Sequence, residues 1–214
     1  MRVIAVPVKS LSEAKSRLAS ALTPLERGAL TLAMLEDVLD AALALPGWET
    51  WVVSPDEAVL EIAARRSARA ITEDKPPLAS AVRQVEQEAV DAGADSLAVL
   101  LGDTPLVTPE ALTRAVHTLG RVVVAPDVGA SGTNLLVRRP PKAIPARFGP
   151  DSYRRHLETA QTKGVPASVV ELDDLAFDLD GPGDILTLLQ TRREGRTRQV
   201  CLDMDLRSRI QIRT

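Results

Sequence analysis

Three short segments carry side chains that could handle phosphate together. Lys9-Ser10-Leu11-Ser12-Glu13-Ala14-Lys15-Ser16-Arg17 sets three cations among small residues just after an apolar run. Ammonium groups act as point charges and a guanidinium grips two oxygens at once, so such a loop could wrap a polyphosphate. Its other reading is a solvated charged turn leading into a helix. No glycine precedes Gly28, so neither the phosphate-loop nor the dinucleotide fingerprint is present. Gly102-Asp103-Thr104-Pro105 closes the most apolar run of the chain. Magnesium binds through one or two carboxylates plus substrate phosphates, and we assign Asp103 that role in preference to an Asx turn. Phe177-Asp178-Leu179-Asp180-Gly181-Pro182 holds an Asp-x-Asp pair. In an extended segment Asp178 and Asp180 share one face, where they repel unless a cation lies between them. Helix capping by Asp180 is the alternative.

Two further segments have the character of anion pockets or, equally, of simple turns. Gly129-Ala130-Ser131-Gly132-Thr133-Asn134 combines flexible backbone with short hydrogen-bonding side chains. Phe148-Gly149-Pro150-Asp151-Ser152 enters a helix whose first amides favour an anion. His117 and His156 fall on helical patterns and read as surface or core residues. The single Cys201 cannot form an intrachain disulfide and reads as a small apolar side chain.

The elements that must position these groups alternate between β and α. Short β-branched runs at Val3–Val8, Thr50–Ser54, Ala68–Thr72, Ser96–Leu101 and Arg121–Ala125 predict strands. Helices are predicted from Pro24 to Leu45, from Ser54-Pro55-Asp56-Glu57, from Leu78 to Ala92 and from Thr108-Pro109-Glu110. Thr23-Pro24-x-Glu26 is a capping box with proline at the first helical position. Beyond Gly132 we expect strands at Leu135–Val137 and Val165–Leu172, and helices at Ser152–Lys163 and Asp184–Gln190. The alternation predicts a three-layer α/β/α sandwich on a mostly parallel sheet. Ligands of such sheets sit beyond the carboxyl ends of strands, which singles out the loops after Val8, Leu101 and Ala125.

With 214 residues, one domain is expected, assigned to 1–191, and residues 192–214 form an extension. That extension carries seven Arg against Glu194, Asp203 and Asp205, a net +4 that leaves the body at −7 within a total of −3. Its expected role is a surface or subunit contact, giving a homodimer, rather than a basic substrate arm, with Gln199–Leu202 as an edge strand. The net charge excludes an electrostatic case for nucleic acid polymers or acidic membranes, and two Trp, two Phe and one Tyr cannot build stacking platforms. No stretch approaches ~18 apolar residues, and the six between Arg2 and Lys9 are too few for a signal-peptide core, which predicts a cytoplasmic protein.

Taken in order, PVKSLSEAKSRL at 7–18, GDTPL at 102–106, SGTNLL at 131–136, FGPDS at 148–152 and FDLDGPGDI at 177–185 resemble the 2-phospho-L-lactate guanylyltransferase family. The resemblance runs from residue 1 to about 190. It implies a glycosyltransferase-A-like nucleotidyltransferase fold related to molybdopterin guanylyltransferases. Members transfer GMP from GTP to a small phosphorylated three-carbon acid in coenzyme F-420 biosynthesis: 2-phospholactate in archaea, phosphoenolpyruvate in many bacteria, 3-phosphoglycerate in some. By motif match, Asp103 and an aspartate of the Asp178/Asp180 pair would hold magnesium. Lys9, Lys15 and Arg17 would hold the nucleotide phosphates, and Thr133, Gly149 and Ser152 the acid. Family members usually have Asp-Leu-Pro where this chain has Asp103-Thr104-Pro105. Pro77-Leu78-Ala79-Ser80-Ala81 departs from a Gly-Leu-Asn-Ala-Ala pattern that contributes to base recognition through Leu78 and the residue at Ala79. Ala79 lacks the amide that would bond the base, and a site reading a purine edge discriminates less when such a group is removed.

The implied reaction fits the residue inventory. A substrate phosphate is already anionic at neutral pH and needs no general base. It would attack the α-phosphorus in line, expelling pyrophosphate, with Lys15, Arg17, Asp103 and the metal supplying charge and position. Two other readings stand beside it. One is a related nucleotidyltransferase with a different base or acceptor; the other is a non-catalytic nucleotide-sensing module that kept the fold.

Overall fold

The computed structural model describes residues 1–74 and 77–211, so the last three residues of the 192–214 extension lie outside it. The chain opens with β1 (Arg2–Pro7), then α1 (Pro24–Leu43), β2 (Glu49–Ser54), α2 (Glu57–Arg65), β3 (Arg69–Thr72) and α3 (Leu78–Asp91). β4 (Ser96–Leu100), α4 (Pro109–His117), β5 (Val122–Pro126) and β6 (Thr133–Arg138) follow. The remainder is α5 (Ser152–Thr162), β7 (Ala167–Val169), α6 (Asp173–Ala176), α7 (Pro182–Gln190), α8 (Arg196–Asp203) and α9 (Leu206–Gln211). The seven strands form one sheet in the order β3-β2-β1-β4-β6-β5-β7.

Strand alternation divides the core. Ile4, Val6, Val52, Ala98 and Leu100 face one side and pack under α1, α2 and α4. Val3, Ala5, Trp51, Val53, Leu97 and Val99 face the other, against Ala81, Val82, Val85 and Ala89 of α3. Every residue of β4 is buried, as a strand covered on both faces requires. The sheet is mostly parallel, but β6 runs antiparallel to both β4 and β5. The loop from Pro126 to Thr133 is too short for a crossover, so β5 and β6 must pair as a hairpin. β6 thereby enters between β4 and β5, placing Thr133 and Asn134 beside the end of β4, where Leu101 N donates to Asn134 O at 2.9 Å.

Local signals mostly hold. The Thr23/Glu26 capping box forms, and Thr108 caps α4. The second helix starts later than expected: Ser54 belongs to β2, its hydroxyl accepts from Asp56 N, and Asp56 caps α2 by accepting from Ala58 N. Val165–Leu172 keeps only the three residues of β7 as strand: Val165 N donates to Ala160 O at the end of α5, Pro166 has no amide proton, and Leu172 is the N-cap of α6.

The edge strand expected at Gln199–Leu202 is instead α8. Asp37 of α1 accepts from Arg196 N, Thr197 N and Thr197 Oγ1, satisfying the free amides at the start of α8 from outside its own sequence. Cys201, Leu206 and Ile210 are buried against Leu18, Leu22, Leu30 and Met34. Burial pushes the Cys201 thiol up to about 12, an inert small apolar residue as expected. Arg196 pairs with Glu36 and Asp40 of α1, and Arg209 with Glu26, so part of the tail's positive charge is matched within the fold.

A candidate active site at the ends of β1, β4 and β6

A cleft of about 920 Å³ opens at the carboxyl ends of β1 and β4, where the hairpin loop 127–132, the start of β6 and the 177–180 segment meet. Of the residues singled out from the sequence, Lys9, Lys15, Arg17, Leu78, Asp103, Thr133, Gly149, Ser152, Asp178 and Asp180 line it. Ala79 does not, nor does any described residue of the 192–214 extension. Gly102 lets the chain turn out of β4: a Cβ there would stand 3.1 Å from Val8 Cγ2.

Lys15 is the focus. Its ammonium donates to Asp103 Oδ2 at 2.7 Å and to Asp180 Oδ1 at 3.1 Å, and its side chain is 8% exposed. Burial works against the charge, but the Asp103 and Asp180 carboxylates outweigh it and raise the Lys15 pKa above the ordinary lysine value. The backbone at Lys15 is left-handed, φ 51°, an unfavourable state for a side-chain-bearing residue that is characteristic of functional loops. Arg17 reaches the opposite oxygen of Asp180 at 3.0 Å while remaining 75% exposed.

The two acidic segments are laced together through backbone. Leu179 N donates to Asp103 O at 3.0 Å, and Asn134 Nδ2 donates to the carbonyls of Leu175 and Ala176. The turn role that was the alternative for Asp103 falls to Thr104, whose hydroxyl donates to Leu101 O. The capping role that was the alternative for Asp180 falls to Asp184, which accepts from Asp180 N and Gly181 N. Both aspartates are thereby released to face the cleft.

Asp127 was not singled out from the sequence, although it lies in the loop after β5. Its carboxylate accepts from Ser131 N, Ser131 Oγ and Gly132 N, holding the hairpin loop closed beside the cleft. Burial, then the carboxylates of Asp103, Asp180 and Asp127, push Asp178 up to about 6 against a single hydrogen bond from Asn134. A protonated carboxyl is favoured by folding, so this site contributes stability below the ordinary value near 3.8 and loses it as pH rises through about 6. Asp178→Asn is therefore expected to stabilise the ligand-free protein at pH 8 and not at pH 4. The full shift would correspond to about 3 kcal/mol, and screening of a partly exposed group reduces the expected gain to about 1 kcal/mol. Urea unfolding at both pH values without divalent cations checks it; an equal effect at the two would remove the carboxylate crowding from the account.

The cleft is suited to a divalent cation. Asp103 Oδ1 is buried with no hydrogen-bond partner among the described residues, and the Asp178 region has more negative charge than Lys15 and Arg17 cover. Among the described residues no three acidic, histidine or cysteine side chains converge on one point. The residues that could hold such a cation are Asp103 with Asp178 or Asp180, which would leave its remaining positions to ligand oxygens, an arrangement that suits magnesium.

Thr133, Ser152 and Gly149 line the same cleft. Ser152 Oγ donates to Thr133 Oγ1 at 3.3 Å, and Gly149 adopts φ 109°, which a side chain would strain. Acidic, cationic and small hydroxyl groups gathered in one cleft at the ends of this sheet suit a nucleotidyltransferase. Residues 1–208 match the family described as guanylyl transferase CofC like, and the chain belongs to that family.

The chain is 41% identical to the phosphoenolpyruvate guanylyltransferase of Rubrobacter xylanophilus, over 86% of this chain and 91% of the relative. It is 40% identical to the 2-phospho-L-lactate guanylyltransferase of Haloarcula marismortui, over 87% and 84%. A crystal structure described as a nucleotide-diphospho-sugar transferase of Desulfovibrio desulfuricans G20 shares the fold across 99% of this chain and 98% of that one, with TM-score 0.77 and 18% identity. This chain is accordingly an enzyme of the guanylyltransferase class.

Proposed function

We propose that the protein transfers GMP from GTP to the phosphate of phosphoenolpyruvate or 2-phospho-L-lactate, with release of pyrophosphate, in a magnesium-dependent step of coenzyme F-420 biosynthesis. The observation that carries this reading is the buried Lys15 ammonium between Asp103 and Asp180 in one continuous cleft with Thr133, Gly149 and Ser152. The names of the two relatives supply the two acceptors.

Magnesium bound to Asp103 and to Asp178 or Asp180 would neutralise phosphate charge and polarise the α-phosphorus. The rest falls to the chain's own groups. Lys9, Lys15 and Arg17 hold the triphosphate oxygens, Lys15 as a point charge and Arg17 as a fork. Leu78, at the start of α3, packs against the nucleoside. Thr133, Ser152 and the backbone at Gly149 hold the acceptor acid so that a phosphate oxygen faces the α-phosphorus. Proximity of two anions that repel in water, held by prearranged cations, supplies most of the rate. No proton is abstracted, which agrees with a cleft lining that contains no histidine or cysteine among the described residues.

Pyrophosphate release measured with magnesium, each nucleoside triphosphate in turn and each of phosphoenolpyruvate, 2-phospholactate and 3-phosphoglycerate tests this. Turnover is expected with GTP and one of the first two acids. Turnover only with another triphosphate or with 3-phosphoglycerate would replace this reading by a related nucleotidyltransferase. Nucleotide binding without turnover in any pairing would replace it by a sensing module.

A further inference from the structure

Beside the Thr133 hydroxyl lies His156, fully buried and absent from the cleft lining. Its Nε2 is 2.8 Å from Arg147 N. A backbone amide can only donate, so Nε2 must be the acceptor and the ring proton must sit on Nδ1. Nδ1 is 3.1 Å from Thr133 Oγ1, which makes the imidazole a donor to that hydroxyl. Ser152 Oγ is a second donor to the same oxygen, at 3.3 Å. Both lone pairs of Thr133 Oγ1 are then engaged, and its one proton has no acceptor among the described residues. Thr133 itself lines the cleft.

From this hydrogen-bond chain we infer that His156 is a positioning residue: the amide of Arg147 fixes its tautomer, and its Nδ1–H fixes the Thr133 hydroxyl as a donor aimed at the acceptor substrate. The inference rests on the acceptor acid occupying the Thr133–Gly149–Ser152 part of the cleft. The ligand atom so recognised must be an acceptor, an oxygen of the acid's carboxylate or phosphate, since a donor would meet a hydroxyl with no lone pair left. The ring is kept neutral for this task. Burial first, then the nearby Arg138, Arg155 and Arg147, pull His156 down to about 3, and the Phe148 ring packs edge-on against it at 5.4 Å.

Variants and an unmutated readout test this together. Thr133→Val is expected to raise KM for the acid by about tenfold or more while leaving KM for GTP within about twofold, the usual loss for one directed hydrogen bond. His156→Phe is expected to raise acid KM by about fivefold with the same GTP insensitivity, and His156→Asn, which keeps a donor at the Nδ1 position, to recover most of that loss. Because His156 acts through Thr133, the double variant His156→Phe with Thr133→Val should be no worse than Thr133→Val alone. Losses that multiply, or a His156→Phe effect shared equally by GTP, would reduce His156 to a packing residue and overturn the inference. If Thr133→Val leaves acid KM unchanged, the acceptor lies elsewhere and the inference falls with that placement. Should His156→Phe fail to fold, nitrogen NMR of the imidazole in the wild-type protein decides: the proton is expected on Nδ1, and a proton on Nε2 overturns the inference.

Discussion

Asp103→Asn is expected to lower kcat by about a thousandfold while the protein remains folded, with Tm within a few degrees of wild type. A thousandfold corresponds to about 4 kcal/mol of transition-state stabilisation, the scale of a lost charged group at a phosphoryl site. The substitution acts at both carboxylate oxygens. Oδ2 is the strongest partner of Lys15, at 2.7 Å, and a neutral amide holds the ammonium less firmly. Oδ1 is buried with no partner among the described residues, a position that could receive a cation, and an amide there would contribute no charge to it. Structure should survive because the bond joining the acidic segments, from Leu179 N to Asp103 O, uses the backbone of residue 103. Steady-state pyrophosphate release and thermal unfolding check the two halves. Activity within about threefold of wild type would remove Asp103 from the reaction.

The second large effect is expected at Lys15. Lys15→Met should reduce kcat/KM for GTP by about a hundredfold or more and destabilise the protein by about 2 kcal/mol. The stability term arises because Asp103 and Asp180 lose their shared cation; both are partly exposed, at 29% and 41%, so the cost stays below that of a fully buried pair. Its pH sign follows from the raised Lys15 pKa: the contribution is fully present at neutral pH, below the ordinary lysine value, and is lost only as alkaline pH passes the raised one. Wild type and variant should therefore differ equally at pH 6 and pH 8. Lys15→Arg should recover less than about a tenth of the activity. A planar fork cannot replace a point charge seated between two carboxylates at 2.7 and 3.1 Å. Kinetics and urea unfolding of both variants provide the check, and full activity in Lys15→Arg would show that charge alone, not its placement, matters.

Much of the layered fold was legible because its causes are local. Thr23-x-x-Glu26 and Thr108-Pro109 mark helix starts through bonds made within four residues, and the alternation of β and α runs implies crossovers. The reversal of β6 is harder to read. Its only sequence trace is the shortness of the loop after Pro126, and Leu135–Val137 reads the same in either direction. The tail misled for a different reason. Gln199–Leu202 is β-prone by composition, yet the start of α8 is capped by Asp37, a residue from α1 that no local pattern connects to it.

The sequence by itself indicated which side chains could handle phosphate, since Lys9, Lys15 and Arg17 follow the first strand, Asp103 follows the most apolar one, and Asp178 and Asp180 form an Asp-x-Asp pair. Only the tertiary structure decided their states. Lys15 sits between Asp103 and Asp180, which are 88 and 165 residues away along the chain. The Asp178 shift comes from burial first and then from Asp103, Asp180 and, through the hairpin, Asp127, and the Thr133 proton is set by His156 and Arg147 from another segment. Residue type fixes the chemistry a group is capable of; its protonation, tautomer and partners depend on burial and on distances of a few ångströms, which exist only after the chain has folded.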